Sequence, residues 1–161
     1  MLPFRAKTTM GYALEAILGR PQALEPLGRV YRSARIVPLT GELAMVPFVE
    51  SLRNAIQRQA HDPERQPAWP FWHLSPEGSL NLAETCHEGA LAYVEASFFA
   101  GAGTQSSVGW RDGALRHGPL VARDAINQAL RFLGVDRDGD NDEFDTVGLG
   151  RHRATEHWTA G

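Results

Sequence analysis

Apolar positions along the chain recur with two periods, and the changes between them mark out the elements. Tyr12, Leu14, Ala16 and Leu18 alternate loosely and end at Gly19-Arg20-Pro21, which predicts a first strand and a turn. Pro26 interrupts the next apolar stretch. Proline is tolerated in the first helical turn, so the spacing predicts a short helix over residues 25–31. Residues 34–39 and 43–48 flank Thr40-Gly41-Glu42 and predict a hairpin. Its prolines, Pro38 and Pro47, donate nothing to a ladder and belong at strand ends or on a sheet edge. From Phe48 the period lengthens: Phe48, Leu52, Ala55 and Ile56 share one helical face, opposite Arg53, Asn54, Gln57 and Arg58.

Residues 61–70 contain Pro63, Pro67 and Pro70 and predict a long surface loop. It leads into Trp69, Phe71 and Trp72, which either anchor the loop on the core or form an exposed recognition patch. Ser75-Pro76-Glu77 combines a capping hydroxyl, a first-turn proline and an acid, so a helix starts there, reaching about His87 and stopping at Gly89. Residues 91–99, 104–111 and 114–117 then read as a three-stranded meander, turning at Gly101-Ala102-Gly103 and at Asp112-Gly113. With two-residue turns at Gly101-Ala102 and Asp112-Gly113, Tyr93 lies opposite Trp110 and Glu95 opposite Val108, which faces His117. Ala122, Ala125, Ile126, Ala129, Leu130 and Leu133 trace the cleanest helix, which Gly134 ends; one short helix is expected near 154–158.

The order of elements predicts an α+β domain: an N-terminal strand and hairpin plus the meander in one antiparallel sheet, with three to four helices packed on it. Residues 1–9 show no periodicity and predict a disordered tail ahead of a single domain over 10–161.

Composition narrows the function classes. With 161 residues, 43% hydrophobic and 22% charged, the chain has the size and make-up of one globular domain. A net charge of −3 argues against nucleic acid as a partner. Cys86, the single cysteine, has no partner for an internal disulfide and forms no thiolate metal cage. The apolar stretch over 10–18 is short, carries Glu15 and lacks a cleavage signature, and no run approaches the roughly eighteen residues of a membrane span. A cytoplasmic protein with no membrane partner is expected. Charge is uneven, however: residues 1–60 hold eight basic and four acidic side chains, whereas 136–145 hold six acids and one arginine.

That acidic run, Asp136, Asp138, Asp140, Asp142, Glu143 and Asp145, matches a calcium loop at its first, third and fifth positions only. Asn141 stands where the turn needs glycine, and Val147 where the loop needs a bidentate glutamate, so the run reads as a surface for a basic partner. His152, Glu156 and His157 fit no zinc-site spacing, and no metal or cofactor is expected. No catalytic set is framed by a recognisable turn. Glu95 stands out, because an acid in the middle of an apolar strand needs a partner; Arg111, Arg116 and His117 are the candidates. Tyr93, Glu95, Trp110 and His117 on one sheet face give an alternative reading, a small hydrolase or ligand-binding pocket.

The run Tyr93-Val-Glu95-Ala-Ser-Phe98-Phe99-Ala-Gly101-Ala-Gly103-Thr104-Gln105, with Trp110-Arg-Asp112-Gly113 and the tail from Phe144-Asp145 to Arg151-His152-Arg153, resembles small bacterial proteins of the polymorphic-toxin immunity type. The resemblance covers the second half of the chain. It implies a cytosolic, non-catalytic protein that binds and neutralises a cognate toxin with a basic surface, and it carries over no catalytic residue. The acidic run, joined by Trp69 and Trp72, is the expected contact surface.

Overall fold

The computed structural model describes residues 11–99 and 102–159. The expected tail over residues 1–9, and Gly101 of the first meander turn, lie outside the described residues. Six strands, β1 (Tyr12–Gly19), β2 (Val37–Pro38), β3 (Ala44–Pro47), β4 (Ala90–Phe99), β5 (Ala102–Arg111) and β6 (Ala114–Val121), form one sheet in the order β2-β3-β1-β4-β5-β6. All five pairings are antiparallel, and helices α1 (Pro21–Val30), α2 (Glu50–Ile56), α3 (Pro76–Thr85), α4 (Ala125–Phe132) and α5 (Glu143–Val147) complete an α+β fold.

Helices cover both faces of the sheet. Successive side chains of a strand point to opposite faces, so the centre of β4, Leu91 through Ala96, is buried on each side. Leu14, Ala16, Leu18, Ala92 and Val94 meet Ile126, Ala129 and Leu130 of α4 and Phe144 of α5. Ile17, Leu91, Tyr93, Val108 and Trp110 meet Leu24 and Leu27 of α1, Leu52 and Ile56 of α2, and Leu82 of α3. We call these the α4 face and the α3 face.

The hairpin prolines sit as chain chemistry requires: Pro38 ends the edge strand β2 and Pro47 ends β3. Several boundaries differ from expectation. Helix α1 starts at Pro21 and contains Pro26. An interior proline costs about 3 kcal/mol, and the longer helix offsets much of it by adding Leu24 to Leu27 on its buried face. Ser75 Oγ accepts the Gly78 amide as the expected cap of α3, but that helix stops at Thr85. Strand β6 runs past Gly118-Pro119 to Val121, which delays α4 to Ala125.

The meander register also differs. Phe99 pairs with Ala102, so the chain reverses one residue earlier than expected and Tyr93 faces Val108, Leu91 faces Trp110 and Glu95 faces Ser106. Because the slip is two residues, each side chain keeps its predicted face. The second turn is as expected, with Trp110 opposite Leu115 and left-handed backbone at Asp112 (φ 51°) and Gly113 (φ 81°). Beyond it a bulge brings His117 opposite Gly109 instead of Val108. Gly109 is needed there, since a Cβ at this position would stand 2.7 Å from the Phe132 ring packed over the sheet.

Candidate functional site

Glu95 lies mid-strand on the α3 face and is 7% exposed. Three donors converge on its carboxylate: the Trp72 amide on Oε1 at 2.8 Å, and the His73 amide and Tyr93 hydroxyl on Oε2 at 2.7 and 2.6 Å. None of the candidate partners Arg111, Arg116 or His117 is among them; the loop over 61–74 supplies two donors from its backbone. Phe71 is fully buried, with its ring edge-on to Tyr93 (centroids 5.4 Å) and Trp69 (5.1 Å). The Trp69 indole donates to the Leu74 carbonyl at 2.7 Å. Phe71 and Trp69 therefore anchor the loop, whereas Trp72 is 54% exposed.

A second acid, Glu15 of β1, is the direct cross-strand neighbour of Glu95. Its Oε1 accepts the Thr155 hydroxyl at 3.2 Å, and its Oε2 lies 3.9 Å from His73 Nε2. Arg53 Nη1 sits 3.1 Å from His73 Nδ1, and because a guanidinium only donates, the ring proton belongs on Nε2, facing Glu15. Burial raises the Glu15 carboxyl above its ordinary value, opposed by His73; the Glu95 charge adds to the rise and the Thr155 hydrogen bond reduces it. Burial and Glu95 likewise push the Tyr93 hydroxyl well up, keeping it a donor. Sequence reasoning passed over Glu15 as part of this cluster, although it carries the same signal as Glu95, an acid interrupting an apolar strand. His73 and Arg53 come from a loop and a short helix whose placement no local pattern reports.

The expected pocket of Tyr93, Glu95, Trp110 and His117 does not form. Tyr93, Glu95 and Trp110 share the α3 face, but the bulge turns His117 onto the α4 face. There its Nε2 lies 2.9 Å from Ser107 Oγ and its ring stacks on Phe132 of α4, with centroids 5.5 Å apart. Partial burial lowers its pKa. Glu95 and His117 thus stand on opposite sides of the sheet and cannot act on one substrate.

The acidic run divides in two. Asp142 caps α5 by accepting the Asp145 amide at 2.9 Å and also accepts the Asn127 side-chain amide at 3.1 Å. Glu143 is 2% exposed, with Arg131 and Arg137 both 3.2 Å from its Oε2. These two acids hold α5 on α4: Glu143, expected on a partner surface, is folded inward, while Asp142 is half-buried at the cap of the helix. Asp136, Asp138, Asp140 and Asp145 are exposed, and among the described residues no hydrogen bond or ion pair engages their carboxylates. A cavity of about 180 Å³ brings Asp136 beside the β2–β3 turn, adding Glu42 to the acidic rim. Among the described residues no group of three or more His, Cys, Asp or Glu side chains is placed to hold a metal ion.

Trp69 and Trp72 do not extend this rim. Their loop packs on the α3 face, whereas α5 packs on the α4 face. Trp72 lines a cleft of about 210 Å³ together with Arg53 and Arg58, a surface of the opposite sign. Among the described residues no helix is long and apolar enough to cross a membrane. Comparison of the chain with protein-family models, curated proteins and solved structures finds no match.

Proposed function

We propose that this chain is a non-catalytic cytosolic binding protein of the immunity type, which neutralises a cognate bacterial toxin by covering a basic surface of that toxin. The observation that supports it best is the division of labour among the acids. Glu95, Asp142 and Glu143 are consumed in holding the fold together, while Asp136, which lines a cavity with Glu42, and Asp138 and Asp140 are exposed with no cation engaging the three aspartates among the described residues. Unneutralised surface acids of this kind steer and orient a basic partner. The reading takes Trp69 and Trp72 out of the contact, because they lie on the other face.

The test is to look for a large secreted protein encoded beside this chain and to co-express its C-terminal domain with the chain in a bacterial host. Restored growth, lost on Asp136→Asn/Asp138→Asn/Asp140→Asn, supports the reading. Growth arrest unrelieved by the native chain, or the absence of such a neighbouring gene, overturns it. Rescue unaffected by the triple variant removes the acidic rim from the interface.

A further inference from the structure

A cavity of about 600 Å³ opens where α1 begins and α4 ends, on the far side of Arg20 from the acidic rim. That volume falls in the range of small-molecule sites and exceeds what a single inorganic ion fills. Ala23, Ala90, Phe132 and Leu133 supply apolar walls, and Arg20 and Arg111 supply two guanidiniums. Neither cation is used up. Arg111 lies over the Phe132 ring, 5.0 Å from its centroid, and donates one long bond of 3.3 Å to the Phe132 carbonyl; among the described residues no carboxylate pairs with it. Arg20 pairs with Glu42 through Nη1 only, and its Nη2 reaches the Gly134 wall, 3.9 Å from where a Cβ on that glycine would lie.

A guanidinium held over an aromatic ring and paired with no carboxylate keeps N–H groups for a planar or tetrahedral oxyanion, the partner of carboxylate and phosphate recognition. The apolar walls would leave a bare anion poorly covered and suit a hydrocarbon body. The geometry points to a ligand site in this cleft for a small amphiphilic anion, one carboxylate or phosphate group carried on a flat apolar body, with Arg111 and Arg20 binding the anionic head. Glu88, the only acid lining the cleft among the described residues, sets an upper limit on the negative charge accepted. The cleft shares no residue with the exposed aspartates but meets the acidic rim at Arg20, which pairs with Glu42, so Arg111 is the variant that tests the site apart from toxin binding.

The experiment titrates the full chain with 1-naphthoate, 1-naphthyl phosphate, 1-naphthalenemethanol and inorganic phosphate, followed by calorimetry and by amide shifts. Both aromatic anions are expected to bind, each about tenfold or more tighter than the neutral alcohol or phosphate alone. The tighter of the two identifies the head group. Arg111→Gln and Arg20→Gln each weaken binding about tenfold, Glu88→Gln tightens it, and Arg123→Gln, an exposed charge away from the cleft, leaves it unchanged. Ala23→Phe fills the cleft from the partly exposed side of α1 and abolishes binding while the thermal midpoint is kept. The proposal fails if no aromatic anion binds at millimolar concentration, if the alcohol binds equally well, or if the arginine variants bind as the native chain does.

Discussion

Glu95 and Glu143 are both buried acids that fasten a peripheral segment to the sheet, one on each face, yet they are held by different kinds of donor. Both oxygens of Glu95 are taken, by two backbone amides of the 61–74 loop and by a buried tyrosine. Glu143 receives both its arginines on Oε2, and Oε1 has no partner among the described residues. The arginines are themselves 44% and 60% exposed and turn readily to water. Backbone amides cannot. Removing Glu95 strands its donors, whereas removing Glu143 releases its own.

That contrast is broken most directly by Glu95→Ala, which leaves two amides and the Tyr93 hydroxyl without an acceptor. At roughly 1–3 kcal/mol per stranded donor, a loss of about 3 kcal/mol or more is expected in urea unfolding. Hydrogen exchange should show Trp72 and His73 losing amide protection ahead of the sheet. A loss below about 1 kcal/mol, the level of an exposed ion pair, would mean the loop is held by its Phe71 and Trp69 anchors without Glu95. Tyr93→Phe removes one of the three donors and keeps the packing against Phe48 and Phe71; about 1–2 kcal/mol is expected, with Trp72 protection largely retained.

On the other face, Glu143→Gln is expected to cost about 1 kcal/mol, because its partners reach solvent. Burial alone would raise this carboxyl, but hydrogen bonds, those from Arg131 and Arg137 included, hold it below its ordinary 4.5. A depressed folded value contributes stability above the unfolded value and loses it as pH falls through the folded one. The native chain and Glu143→Gln should therefore differ at neutral pH and converge below 4.5. A gap that persists in acid would assign the loss to packing.

How legible these features were in the sequence follows from the range of the forces involved. Periodic patterns and turn residues identified the sheet, the hairpin, the meander, α2 and α4, and a start signature identified α3, because these are local properties of the chain. The Ser75 cap and the Asp112-Gly113 turn were legible for the same reason. The site was legible only as a question: Glu95 stood out as an acid needing a partner, but beside the Tyr93 hydroxyl its donors are main-chain groups twenty-two and twenty-three residues away, which no residue type announces. His117 was lost to a bulge, since one extra residue exchanges the faces of a strand. The acidic run read as uniform because composition does not distinguish Asp140, exposed, from Glu143, folded under α5.

The smallest expected effect concerns Glu15, whose position beside Glu95 makes the two acids a buried like-charge pair. Its folded pKa is raised, by burial first and by the Glu95 charge in addition, against the opposing pull of His73. The folded state therefore holds this proton more tightly than the unfolded chain. The associated stability is complete below the unfolded value and is lost as pH rises through the raised folded one, so above the unfolded value Glu15 weakens the fold relative to an uncharged side chain. Glu15→Gln keeps an acceptor for Thr155 and removes the charge. Its thermal midpoint should exceed the native one at neutral pH by a degree or a few, a gain on the order of what small surface-charge changes give, and the two should converge below 4.5. In a Glu95→Gln background the gain should shrink, because the repulsion that Glu15→Gln relieves is then already gone. Equal gains in both backgrounds would show that desolvation alone raises Glu15, and that the two strands carry independent acids instead of a coupled pair.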